Sequence, residues 1–264
     1  MKPKGTITIG RDPADTRAVS DVLAFILVFG IILSSVALLS TMGMQTMTDY
    51  QENEQLRNAE RGMEALTVNF NDVLRYGGIE KRYGELSLRE GRASTGASGT
   101  KLNISIDDND PIHDSDSRFD DYGSGETADL GEFAYTSDGT RIVYEGGGLV
   151  RQEESGTWSH VLKRPQLRCG SDTAVVSLVT VSADEGSIQT SGGLGFTMSV
   201  ENRSSKVYTE RDRVNVSVVD TEYDAAWNST LEGGDWERTG TTGTCEFDDS
   251  GRIVVTIVDV DVEY

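Results

Sequence analysis

The sequence predicts an α+β protein: one long N-terminal helix, transmembrane and then amphipathic, followed by an antiparallel β-rich globular domain. Three observations carry this reading. Residues Val22 to Met44 contain no charged side chain. The apolar residues that follow recur at steps of three and four as far as Phe70 and Val73. Beyond Gly77-Gly78 the period changes to two, in short runs separated by glycine.

The uncharged run reads VLAFILVFGIILSSVALLSTMGM. At 1.5 Å per residue it extends roughly 34 Å, enough to cross a hydrocarbon core of about 30 Å. A cleaved secretory signal has a shorter apolar region that ends in small residues. Ser40-Thr41-Met42-Gly43-Met44 offers no such ending, and a buried core helix has no need of so long an uncharged stretch. Lys2, Lys4, Arg11 and Arg17 precede the run, whereas Asp49, Glu52 and Glu54 follow it before the next cation, Arg57. Basic flanks stay in the cytoplasm, which puts the N-terminus inside and the C-terminal domain outside, at the cell membrane.

Immediately before the span stands Arg17-Ala18-Val19-Ser20-Asp21-Val22. This resembles the class III, or prepilin, signal of archaeal type IV pilins. The resemblance implies that a membrane peptidase cuts between Ala18 and Val19, on the cytoplasmic side, and that the apolar run remains as an assembly helix. Asp21 stands where many archaeal pilins carry proline, and Leu23 where bacterial pilins carry glutamate. The partners so implied, besides the lipid bilayer, are other pilin-like subunits or surface-layer proteins.

Past the span, Leu56, Ala59, Met63, Leu66, Phe70 and Val73 form one helical stripe, with Glu54, Arg57, Glu60, Arg61 and Asn71 read as a solvated face. Gly77-Gly78 supplies a stop, so a helix of about fifty residues is expected. A stalk that merely spaces a domain from the membrane has the same periodicity. Strand-like alternation follows at Leu102 to Ile106, Leu194 to Val200, Val214 to Val218 and Val258 to Val262. Phe133 and Tyr135 lead through Asp138-Gly139 to Ile142 and Tyr144, a hairpin signal. The expected layout is a cytoplasmic leader over 1–18, a transmembrane helix over 19–46, its extracellular extension over 47–78 and the β domain over 79–264, a sandwich or meander. Type IV pilins share this plan. The segments TRIVYEGGGLVR, Thr140 to Arg151, and YDAAW, Tyr223 to Trp227, resemble a haloarchaeal family of pilin-like surface proteins of unknown function.

The formal net charge is −20, from 44 acidic and 24 basic side chains, only six of them Lys. The acids are spread through the turns rather than gathered in a tail. Such a surface suits a medium where salt screens charge over about 3 Å at 1 M, and the composition resembles proteins of salt-loving archaea. No basic face exists to neutralise phosphates, which argues against nucleic acid as a partner.

Four glycosylation sequons occur, at Asn103, Asn202, Asn215 and Asn228. All lie beyond the span, and Asn103 and Asn215 fall on the polar side of their alternation. Cys169 and Cys245 are the only cysteines, either bridged in an oxidising exterior or buried as two free thiols. The acidic run Asp107-Asp108-Asn109-Asp110, Asp114, Asp116, Asp120-Asp121 lacks the order of a calcium loop, and a solvated loop is the simpler reading. His113 and His160 share no metal-ligand spacing. No nucleophile elbow, zinc-protease helix or phosphate-binding loop is present, so no catalytic residue, metal or cofactor is expected. Two functions fit: a pilin-like anchored surface protein, as a minor subunit of a type IV pilus-like assembly, or a stand-alone envelope protein whose β domain binds a ligand or a neighbouring protein.

Overall fold

The computed structural model describes residues 13–87, 91–123, 125–153, 158–183, 185–190 and 192–264. Most of the expected leader, residues 1–12, lies outside them. The chain divides into two compact units, residues 1–53 and 54–264. Helix α1 runs Pro13–Arg75, 63 residues, and so takes in Ala18 and Val19. It exceeds the expected length because it begins well before the apolar run. Proline suits a first helical turn, where its missing N–H has no partner to lose, and no glycine or proline follows until Gly30.

In the first unit, Ser20–Met42 is long and apolar enough to cross a membrane, and none of it is buried within the protein. Val22, Phe25, Leu27 and Ile31 are each more than half exposed. The hydroxyls of Ser34, Ser35 and Thr41 donate to the carbonyls of Gly30, Ile32 and Leu38 at 2.7, 2.8 and 3.0 Å. These three side chains therefore bring no unpaired donor to an apolar surrounding.

In the second unit α1 buries Ala59, Met63, Leu66, Phe70 and Val73, with Leu56 partly covered. It ends two residues before Gly77, and Arg203 donates to the carbonyl of Val73, one of the groups a helix end leaves open, and to that of Ile79 just beyond it. Strands β1 (Lys81–Ser87), β2 (Gly91–Gly96) and β3 (Lys101–Ile106) come next, then the one-turn helix α2 (Ile112–Ser115) and a 3-10 turn at Asp120–Tyr122. Strands β4 (Ala128–Asp129), β5 (Glu132–Ser137), β6 (Thr140–Glu145), β7 (Gly148–Glu153) and β8 (Ser159–Lys163) follow. Then come β9 (Gln166–Cys169), β10 (Thr173–Val181), β11 (Gly186–Thr190) and β12 (Gly193–Asp220). Helix α3 (Asp224–Leu231), β13 (Glu237–Thr239) and β14 (Thr242–Glu263) complete the domain.

The strands form two sheets. The first has eight strands, ordered β4-β3-β12-β14-β10-β9, with β1 against β12 and β13 against β14; the second has six, β11-β2-β5-β6-β7-β8. The hairpin expected at Asp138-Gly139 joins β5 to β6, and both turn residues have positive φ, 47° and 73°, as a two-residue type I′ turn requires. One pairing departs from the antiparallel expectation: β10 and β14 run parallel, from Thr173 opposite Arg252 to Val181 opposite Val260. Alternation assigns a residue to a face but says nothing of its neighbour's direction. Val176, Leu178, Val179 and Val181 of β10 are all buried, the two-faced covering typical of parallel strands. The apolar runs at Leu194 and Val214 prove to be one strand, β12. Between them Glu201 to Arg213 holds no buried residue, so the period-two signal vanishes although pairing with β14 continues through three register shifts.

The six-stranded sheet lies between two cores. Phe133, Tyr135, Ile142, Tyr144 and Leu149 pack with the α1 stripe, whereas Ala134, Val143 and Val150 pack with the larger sheet and α3. Phe70 is the centre of the first core, edge-on to Phe133, Tyr144 and Phe196 with ring centroids 6.3, 5.1 and 5.5 Å away.

Candidate functional site

The two segments singled out in the sequence meet. Thr140 to Arg151 forms the β6–β7 hairpin, which turns through Gly146 and Gly147 at φ 58° and 86°. Asn71 of α1 reaches this turn. Its Nδ2 donates to the Gly147 carbonyl at 2.7 Å, and its Oδ1 accepts the Tyr144 hydroxyl at 2.9 Å. Asn71 is thus not on the solvated face where periodicity put it; only 5% exposed, it is tolerated there because both ends of its amide are bonded. A Cβ on Gly147 would lie 3.2 Å from Asn71 Oδ1. Ion pairs Arg151–Glu60 at 3.0 Å and Arg82–Asp72 at 2.9 Å flank the same stretch of helix.

Tyr223 to Trp227 opens α3 and closes over the hairpin's other face. Glu145, 1% exposed, accepts Trp227 Nε1–H at 2.6 Å and the Thr100 hydroxyl and N–H, each at 2.9 Å. Glu132 accepts the Tyr223 hydroxyl at 2.7 Å and the Ser98 hydroxyl at 2.6 Å, and pairs with Arg141. Burial pushes the Glu145 carboxyl up to about 7, against the pull of its three hydrogen bonds, and the Glu132 charge adds to the rise. Burial, with Glu132 beside it, also raises Tyr223 far above the ordinary phenol value. These two carboxyls tie β6, the Thr100 turn and α3 together behind the surface. In front of them Arg141, also paired with Glu222 at 3.2 Å, lies in an open cleft of about 600 Å³ with Ser94, Thr136, Gln152 and Asp224. The lining suits a polar, hydrogen-bonding ligand. Sequence reasoning missed Asn71, Glu132 and Glu145. The legible signal was a lone acid at the end of an apolar strand, Ile142-Val143-Tyr144-Glu145, directly before three glycines.

The four sequon asparagines are all partly exposed. Two sequons interlock across β3 and β12, with Asn103 opposite Ser217 and Ser105 opposite Asn215. The Asn215 amide donates to Asp108 at 2.8 Å and accepts from Thr244 at 2.9 Å. Asn202 accepts the Arg203 N–H at 2.7 Å and donates to Asp121 at 3.4 Å, and Asn228 accepts from Arg238 at 3.4 Å. Among the described residues Asn103 alone of the four makes no side-chain hydrogen bond. Cys169 and Cys245 form a disulfide, Cα atoms 5.6 Å apart, which ties β9 to β14 across β10.

Asp108, Asp110, Asp114, Asp120 and Asp121 of the acidic run are exposed, as a solvated loop expects, while Asp107, Asp108 and Asp116 are also bonded to β12. Asp107 accepts from Arg211 at 3.1 Å and from the N–H groups of Asp212 and Arg213 at 2.8 and 3.2 Å. Asp108 pairs with Arg213 at 3.4 Å, and Asp116 takes Lys206 and the Tyr208 hydroxyl. Burial works to raise Asp107 and Asp116, but these hydrogen bonds and cations hold both below the ordinary carboxylate value. Among the described residues no group of three or more His, Cys, Asp or Glu side chains has metal-holding geometry. His113, buried in α2 against Phe119, is pushed down to about 4 by burial, with Asp129 and Asp120 pulling the other way. His160 stacks on Trp158 at the surface of β8, ring centroids 5.7 Å apart.

The model of a family of unknown function (DUF7289) matches residues 17–263. No curated protein matches the chain, and no solved structure does.

Proposed function

We propose that this chain, which belongs to that family, is a single-pass, membrane-anchored cell-surface protein of pilin-like plan, a subunit of a type IV pilus-like assembly. The observation that carries the reading is the apolar helical run Ser20–Met42, uncharged from Val22 onward, with apolar side chains exposed all round and none covered by the protein itself. In water so large an apolar surface is unstable; in a bilayer it is the expected state. Cations precede the span and carboxylates follow it, which supports a cytoplasmic N-terminus and an external β domain. Arg17-Ala18 directly before Val19 supports removal of the leader by a prepilin-type peptidase. Mass spectrometry of the mature N-terminus tests this. A first residue of Val19 in purified membranes supports processing, a start at Met1 counts against it, and a start beyond Met44 means an ordinary secretory signal. A second reading, a stand-alone envelope protein that binds a polar ligand, is favoured by the Arg141 cleft.

A further inference from the structure

Among the described residues nine basic side chains form ion pairs within the chain: Arg57, Arg82, Lys101, Arg141, Arg151, Lys206, Arg211, Arg213 and Arg238. One concentrated group does not. Lys163, Arg164 and Arg168 lie in the longest stretch of the domain without an acid, between Glu154 and Asp172, and make no ion pair. Their place in the fold is specific. Strand β8 is one edge of the six-stranded sheet and β9 one edge of the eight-stranded one, and Arg164-Pro165 is the link between them. Arg164 and Arg168 are exposed, Lys163 partly so. The Arg164 guanidinium lies over Gly233, where no side chain has room. Arg164, Pro165 and Arg168 face Thr230 and Gly233-Gly234 across a shallow cavity of about 270 Å³.

We infer that this cationic corner is a docking surface for the carboxylate-rich surface of a second copy of the chain. The inference rests on the anchored-subunit reading above. Charge complementarity selects the occupant. Every copy carries a net charge of −20, and its exposed Asp114, Asp120, Asp248 and Asp249 form no ion pair among the described residues. Guanidinium groups bind carboxylates through paired N–H donors. Such close pairs persist when salt shortens the screening length and weakens the general repulsion between two acidic molecules. A contact between two different patches leaves each copy with one more of each, the geometry of a ring or an open chain rather than a closed dimer.

The test uses the full chain, as a mixture of isotopically light and heavy copies, in vesicles of zwitterionic lipid. A zero-length carbodiimide links Lys163 to any carboxylate it touches. The expected result is mixed-isotope peptides containing Lys163, reduced by about tenfold in the Arg164→Glu/Arg168→Glu variant, ~1.4 kcal/mol of contact free energy. The internal Lys101–Asp129 link, 3.6 Å apart, persists in that variant if it is folded. Mixed peptides at Lys163 no more abundant than at exposed Lys81, or unchanged in the variant, would overturn the inference, as would a link that appears only with anionic lipid. Retention of the chain in the vesicles is scored separately, so failure of docking and failure of anchoring are distinct outcomes.

Discussion

Glu145 is a buried carboxyl whose value burial pushes up to about 7. In the unfolded chain it titrates near its ordinary value of 4.5, so between the two the folded state binds the extra proton. Stability from this group is full below pH 4.5, falls as pH rises towards 7, and is level above that. The total is about 3 kcal/mol for a shift of this size. Asp107 and Asp116 act oppositely: depressed in the fold, they stabilise above their ordinary range and lose that contribution as pH falls below it. Urea midpoints compared between pH 5 and 7.5 should decline for the natural chain and stay nearly flat for Glu145→Gln. An equal decline in the variant would assign the pH dependence elsewhere. Asn103 makes a second residue-scale case. A glycan is joined to the amide nitrogen; that nitrogen is bonded at Asn202 and Asn215 but free at Asn103 and Asn228, and Asn228 is held through its oxygen by Arg238, which leaves Asn103 the least encumbered of the four among the described residues. Glycopeptide mapping of the natively produced protein should find Asn103 modified first. Occupancy at Asn215 without Asn103 would contradict this.

At the scale of elements, the second-unit stretch of α1 has the most at stake. Phe70 meets three aromatic rings, and Phe70→Ala removes them all, at a cost of about 3–5 kcal/mol. Urea unfolding of the full chain in detergent measures this, and a loss under 1 kcal/mol would mean that the helix is only a spacer. The stripe that names Phe70 was legible because burial on one side of a helix leaves a 3.6-residue period. Asn71 was not, since its burial depends on a turn 76 residues away in the chain. The Asp138-Gly139 hairpin was legible from its turn chemistry alone. The middle of β12 was not, because neither of its faces is buried, and the parallel β10–β14 pair was not, because direction leaves no mark in alternation. The same limit hid the carboxyl pair: Glu132 and Glu145 look like surface acids until Tyr223 and Trp227, far along the chain, are placed against them.

For the molecule as a whole, two properties dominate, a net charge of −20 and one uncharged helical span. Self-repulsion among unpaired carboxylates grows as salt is removed. Dialysis from molar salt to about 10 mM extends the screening length from about 3 Å to 30 Å and should lower the thermal midpoint. The clasps from Asp107 and Asp116 to β12 should resist this longest, because short, partly buried pairs are screened least. The direct test of the account is protease added to intact cells. An anchored protein with its N-terminus inside loses the β domain, residues 79–264, and keeps a membrane-embedded fragment that contains Ser20–Met42. Full protection of the β domain in intact cells, with digestion only after lysis, would contradict it.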